Sequence, residues 1–323
     1  LTKQQKKILS HTIKASILVL AIVFIYYKLT DNTNLKNFIE LVNELSSLEV
    51  WITITIIFIL MLANWFLECL KWKFLIHKIE PISIKKSIES VFCGLTWAVF
   101  TPNRIGEYGG RIFFLSSRKR LQGVVAMSVG QIAQMVITNV AGALAFLWFI
   151  YNYVINDLWV FVFLSLLISI FCIGIIVFYF NIHWMNNLLM SIKFLRRYKA
   201  FLSVLTRYSL TELSKVMLYS VSRFVVFTIQ YLLIINLLVP EIHFIHASLL
   251  VFILFFVQSA LPSLDLLDIG VRSMTATYFF SFVTEQEIAI MAATALIWLV
   301  NLIIPAIMGS FFVFKLNFFG NNN

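Results

Sequence analysis

Long apolar runs separated by short polar connections dominate the chain. They cover 13–29, 50–70, 123–151, 158–181, 209–239 and 287–314. Each supplies, or nearly supplies, the ~20 helical residues that a crossing of bilayer hydrocarbon requires. Six transmembrane helices are therefore predicted. The first run follows Lys3, Lys6, Lys7 and Lys14, as the apolar part of a secretory signal would, but YYKLT comes after it in place of a small-residue cleavage site. It is read as a retained span.

Two further apolar regions do not fit a single crossing. Residues 88–116 lie between Lys85–Lys86 and Arg118–Lys119–Arg120, while 247–283 lie between Glu241 and the pair Glu285 and Glu287. Matching charge at both ends puts each pair of ends on one face of the membrane. Each region then enters and returns, broken at Pro102 and Gly106 in the first and at Pro262 and Gly270 in the second. The fold class expected is an all-α integral membrane protein with six transmembrane helices and two re-entrant hairpins of opposite orientation. Residues 1–152 and 153–323 form the two halves of an inverted repeat, each ordered span, connection, span, hairpin, span. The connections agree. In 34–49, Phe38, Leu41, Val42, Leu45 and Leu48 recur at helical spacing, as do Trp184, Leu188, Ile192 and Leu195 in 182–207, so each predicts an interfacial amphipathic helix. Inverted repeats with broken helices near the midplane are a common plan of secondary transporters.

Composition makes the membrane assignment firm. The 323 residues are 61% hydrophobic and 12% charged, with 32 phenylalanines, and the mean hydropathy is +0.92. A soluble protein of this size has too little interior to hide that much apolar surface. The net charge of +10 is spread by side of the membrane and gives no reason to expect nucleic acid. Lysines and arginines gather before the first span, at 71–86, 118–120 and 193–207, and at Lys315. The opposite side holds Lys28 and Lys36 against Asp31, Glu40, Glu44, Glu49, Asp157, Glu241, Glu285 and Glu287. By the positive-inside rule both termini are cytoplasmic, in a multi-pass protein of the plasma (inner) membrane. Cys69, Cys93 and Cys172 lie in apolar runs without ligand spacing, and neither metal nor cofactor is expected.

The candidate chemistry lies in charges at apparent membrane depth. Glu212 and Lys215 lie close enough to a span end to snorkel, and Glu68 is expected to pair locally with Lys71. Arg223 differs, standing ~21 Å past Ser209 at 1.5 Å per residue. An unpaired charge there costs at least ~2.5 kcal/mol, so a partner or a cavity is required. Its expected partner is Asp265 or Asp268 at the second hairpin tip. The first tip offers Arg104, Glu107 and Arg111, and the second Asp265, Asp268 and Arg272. Arginines converging from two hairpins and a span suit a phosphate, because guanidinium is a planar bidentate donor that stays charged when desolvated. Arg111 and Arg272 are the expected phosphate contacts. The competing reading is that these charges only neutralise one another across the repeat interface.

The first tip, P-x-R-x-G-E followed by an arginine (Pro102, Arg104, Gly106, Glu107, Arg111), resembles the first signature of the lysylphosphatidylglycerol synthase membrane-domain family. So does the aromatic-basic end of the second span, with Trp65, Lys71 and Trp72. The second tip resembles the family's second signature less closely, with Asp265 to Asp268 replacing its glycines and Ser273 standing where a glutamate is expected. The resemblance implies a flippase-like, lipid-handling domain, here a standalone member without the aminoacyl transferase domain. The leading expectation is translocation of an anionic lipid or lipid-linked precursor, with membrane lipids as partners and a homo-oligomer or a synthase as further company. A second reading is an intramembrane transferase or an accessory subunit of a lipid or glycan synthase, although no catalytic motif is present. A third is a proton- or cation-coupled small-molecule transporter working through Asp265 and Asp268.

Overall fold

The computed structural model describes residues 39–41, 43, 45–99, 101, 104–194, 199–260 and 269–313. Within them the protein is an all-α membrane protein. Five helices are long and apolar enough to cross a bilayer: α1 (Ser47–Ile76), α4 (Arg120–Tyr153), α5 (Leu158–Phe180), α7 (Leu210–Leu238) and α10 (Glu287–Val313). Helix is the dictated form, since hydrocarbon offers no partner for a free backbone N–H or C=O. The remaining predicted span, 13–29, lies outside the described residues, as do Pro102, Pro262, Asp265 and Asp268.

Between the long helices are shorter ones. They are α2 (Ile84–Ala98), α3 (Ile105–Ile112), the connecting helix α6 (Ile182–Ser191), α8 (Phe244–Ala260) and α9 (Ile269–Phe280). At 1.5 Å per residue none of the five reaches across the ~30 Å of hydrocarbon. Helix α6 covers the first part of the predicted amphipathic connection, with Trp184 and Leu188 exposed and Ile182 buried. It stops at Ser191, where Ile192 turns extended. Of the 34–49 connection, residues 39–41 and 43 are helical, and Leu48 falls in the first turn of α1.

Helices α2 and α3 pack antiparallel with almost no space between them. A Cβ on Gly110 would fall 2.4 Å from Gly94 Cα, and one on Gly106 2.3 Å from the Trp97 carbonyl oxygen. Backbone cannot yield as a side chain can, so glycine is required at both positions. Gly270 is different, being exposed with nothing within 4 Å of its would-be Cβ. Glutamates join the entry and exit of both short-helix pairs. Glu80, ahead of α2, accepts from Ser116 N (3.1 Å) and Oγ (2.7 Å), beyond α3. Glu241, ahead of α8, accepts from Thr284 Oγ1 and Gln286 Nε2, both 3.1 Å away and beyond α9. Burial pushes the Glu80 carboxyl up, but hydrogen bonds from Ser116, with help from Lys86, outweigh it and hold the group below its usual value. The stabilisation from this contact is therefore present at neutral pH and is lost only as pH falls through that lowered value.

The long helices assemble around α1 and α7, which pack along each other. Helix α2 lies on the C-terminal part of α10, and α8 lies on α4. Two glycines make these crossings close. A Cβ on Gly309 of α10 would meet the Phe92 carbonyl oxygen at 1.9 Å, and one on Gly142 of α4 would meet Phe256 Cβ at 2.2 Å and the Phe252 carbonyl oxygen at 2.9 Å. Helix α5 leans mainly on α4 and leaves Trp159, Phe163, Leu166, Ile170 and Ile173 exposed. In a bilayer that face is solvated by acyl chains.

Candidate functional site

The centre of the bundle holds charges from α1, from α3 with the residue that caps it, and from α7. Glu68 of α1, 2% exposed, accepts from Lys71 Nζ (2.8 Å), from Arg111 Nη1 (2.7 Å) and from Arg223 Nη1. Arg111 also pairs with Glu107 one helical turn earlier in α3, and Glu107 accepts from Arg104 Nε at 3.1 Å. Charges of alternating sign thus run from Arg104 through Glu107, Arg111 and Glu68 to Lys71 and Arg223. Asn64 Oδ1 takes Arg223 Nε at 2.9 Å, and the guanidinium lies 5.1 Å from the ring centre of Trp65. A second such contact sets Arg111 5.9 Å from Trp72. The low dielectric that makes each lone charge costly makes each of these pairs strong.

Local structure fixes the geometry. Asn64, Glu68 and Lys71 are spaced four and three apart, so α1 carries them on one stripe. Arg104 precedes α3 with φ 57°, the left-handed region that a non-glycine residue enters at a cost of ~1–3 kcal/mol. Thr101 holds the turn that imposes it, its carbonyl accepting from Arg104 N at 3.3 Å and its hydroxyl from Gly106 N at 2.7 Å. The Arg104 side chain leaves this turn to bond Glu107 and to line the neighbouring cavity.

Beside the charges lies a cavity of about 270 Å³, walled by Asn64 and Trp65 of α1, Arg104, Glu107 of α3, Gln131, Gln134 and Thr138 of α4, Arg223, Phe224 and Phe227 of α7, and Phe255, Gln258 and Ser259 of α8. A second lobe of about 130 Å³ shares Asn64, Trp65, Arg104, Arg223 and Phe227. It adds Tyr231, Arg272 of α9, and Ile297, Trp298, Asn301 and Leu302 of α10. Asn301 lies in a π turn, Leu299–Ile303, a local unwinding frequent at functional sites. Arg272 Nη1 donates to Gln258 Oε1 at 2.9 Å, linking α9 to α8. Several polar atoms on these walls have no hydrogen-bond partner among the described residues: Trp65 Nε1, Gln134 Oε1, Gln258 Nε2 and Asn301 Oδ1.

Measured against expectation, the structure brings Arg104, Glu107, Arg223 and Arg272 to one cavity and keeps Arg111 off its walls, 1% exposed between two glutamates. Among the described residues Arg223 pairs with Glu68 and Asn64, while the second-tip aspartates expected as its partners lie outside them. Glu68 does pair with Lys71, but it is the hub of the whole cluster. Near the span end, Glu212 closes a capping box with Ser209 and bonds Lys78 at 2.6 Å, while Lys215 lies 4.9 Å from the Phe74 ring. Asn64, the α4 glutamines and Gln258 were missed by attention to charge alone. Gln131, Gln134 and Thr138 at i, i+3 and i+7 form a polar stripe on an apolar helix, and that spacing would have found them. No cluster of metal-ligating side chains occurs among the described residues. In comparison with known proteins, the chain matches no protein family, no curated protein and no solved structure.

Proposed function

We propose that this protein binds an anionic lipid within the bundle and moves its head group across the plasma membrane, without catalysing a covalent reaction. The single observation that carries the reading is the cavity wall. Guanidinium groups of Arg104, Arg223 and Arg272 reach it from three elements, amid amides and aromatic rings. Arginine stays charged at such depth and presents paired donors to a phosphate. The aromatic and aliphatic part of the wall suits the first carbons of the tails. The resemblance of Pro102, Arg104, Gly106, Glu107 and Arg111 to a lipid-handling family points the same way. The purified chain in vesicles should exchange fluorescent phosphatidylglycerol between leaflets many times faster than fluorescent phosphatidylcholine. Equal rates for the two, or none for either, would refute the proposal.

In this reading the α2–α3 and α8–α9 pairs are re-entrant hairpins from opposite faces, related as parts of an inverted repeat. Several features support it. A glutamate joins the two ends of each pair, and the first helix of each pair crosses the last long helix of the other half. Gly142 and Gly309 stand at the same offset from the starts of their helices, Arg120 and Glu287. Their contacts Phe252 and Phe92 share one offset from Phe244 and Ile84. Sidedness is tested by single cysteines at exposed positions, the native three being buried. Cysteine at Ser83 or Ser117 should react only with cytoplasmic reagent, and at His243 or Glu285 only with external reagent. Opposite-side labelling within either pair rules out the hairpins.

A further inference from the structure

Resting on the lipid reading, we infer that the transported head group is a polyol or glycosyl group joined to the phosphate, and that the amide-lined lobe is its seat. Arg104 and Arg223 belong to both lobes and mark where a phosphate would sit. The larger lobe beyond them offers neutral polarity from Gln134 and Gln258, beside Trp65. The orientation of the Gln258 amide is fixed chemically, since Arg272 can only donate and so takes the oxygen. Among the described residues its Nε2 is left without a partner, as are Gln134 Oε1 and Trp65 Nε1. Two donors and an acceptor, buried and unanswered, are costly unless a ligand or water meets them. A hydroxyl does so best, because it both donates and accepts. An ammonium head group finds no such welcome, for Glu107, the carboxylate of this wall, already holds Arg104 and Arg111.

Leaflet exchange by the full chain in vesicles separates the outcomes. The probes are tail-labelled phosphatidylinositol and phosphatidylmethanol, which share tails and phosphodiester charge and differ in the hydroxyls. Wild-type protein should move phosphatidylinositol at least about tenfold faster, a difference of ~1.4 kcal/mol. Gln134→Leu, monodisperse on size-exclusion chromatography, should bring that ratio towards one. Equal wild-type rates for the two lipids overturn the head-group assignment while leaving the anionic-lipid reading intact, and so does faster transport of phosphatidylserine than of phosphatidylinositol. If neither anionic lipid moves, both readings fall. Soluble inositol phosphate at the same bulk concentration should leave exchange unchanged. If it blocks exchange, the polyol phosphate is taken from water and the lipid source is wrong.

Discussion

Replacing Glu68 with leucine is expected to cost ~3–5 kcal/mol, the range for removing one member of a buried ion pair. The variant should be recovered from detergent in low yield or with a clearly lowered melting temperature. Lys71, Arg111 and Arg223 all converge on this one carboxylate, and among the described residues only Arg111 retains a second, at Glu107. Glutamine should be milder, since it keeps one acceptor while losing the charge. A double-mutant cycle between Glu68→Gln and Arg223→Gln should give a coupling of ~1 kcal/mol or more, because groups in direct contact are rarely additive. Additive losses in that cycle, or wild-type melting of the leucine variant, would show that the cluster is not what holds α1, α3 and α7 together.

The arginines should separate into two kinds. Arg104→Gln and Arg223→Gln are expected to lower phosphatidylglycerol exchange about tenfold or more each, as a lost charge-assisted bond worth ~1.5–3 kcal/mol implies. Arg104 will show the cleaner effect: its side chain is 36% exposed, and its buried partner Glu107 keeps Arg111. Arg111→Gln should register first as lost stability, because its guanidinium is enclosed by Glu68 and Glu107 and touches neither lobe. Lysine at 223 keeps the charge but not the fork that spans Asn64 and Glu68, so exchange should fall between wild type and glutamine. An Arg104→Gln protein that melts like wild type and moves lipid at the wild-type rate would remove the cavity from the transport path.

The long helices were legible in the sequence because hydrocarbon imposes length and polarity on every residue of a span. The run at 158–181 became α5 at Leu158–Phe180, and that at 209–239 became α7 at Leu210–Leu238. A break near the first tip was legible too: α2 ends at Ala98 and α3 begins at Ile105, next to Gly106. What hydropathy cannot give is the face on which a residue lies. The local pairing of Glu68 with Lys71 was legible from their spacing, but not that the same stripe, with Asn64, turns Glu68 to the centre, where Arg111 and Arg223 also meet it. The glutamines of α4 carry no charge penalty to draw attention, and only their periodicity betrays them.

The close crossings at Gly142 and Gly309 have a mechanical consequence. Where backbone meets backbone without an intervening side chain, two helices cannot slide without first separating, so each crossing behaves as a clamp. Because α2 is clamped to α10 and α8 to α4, each clamp ties a helix from before residue 153 to one from after it, so any movement that parts these two stretches of the sequence must first open both crossings.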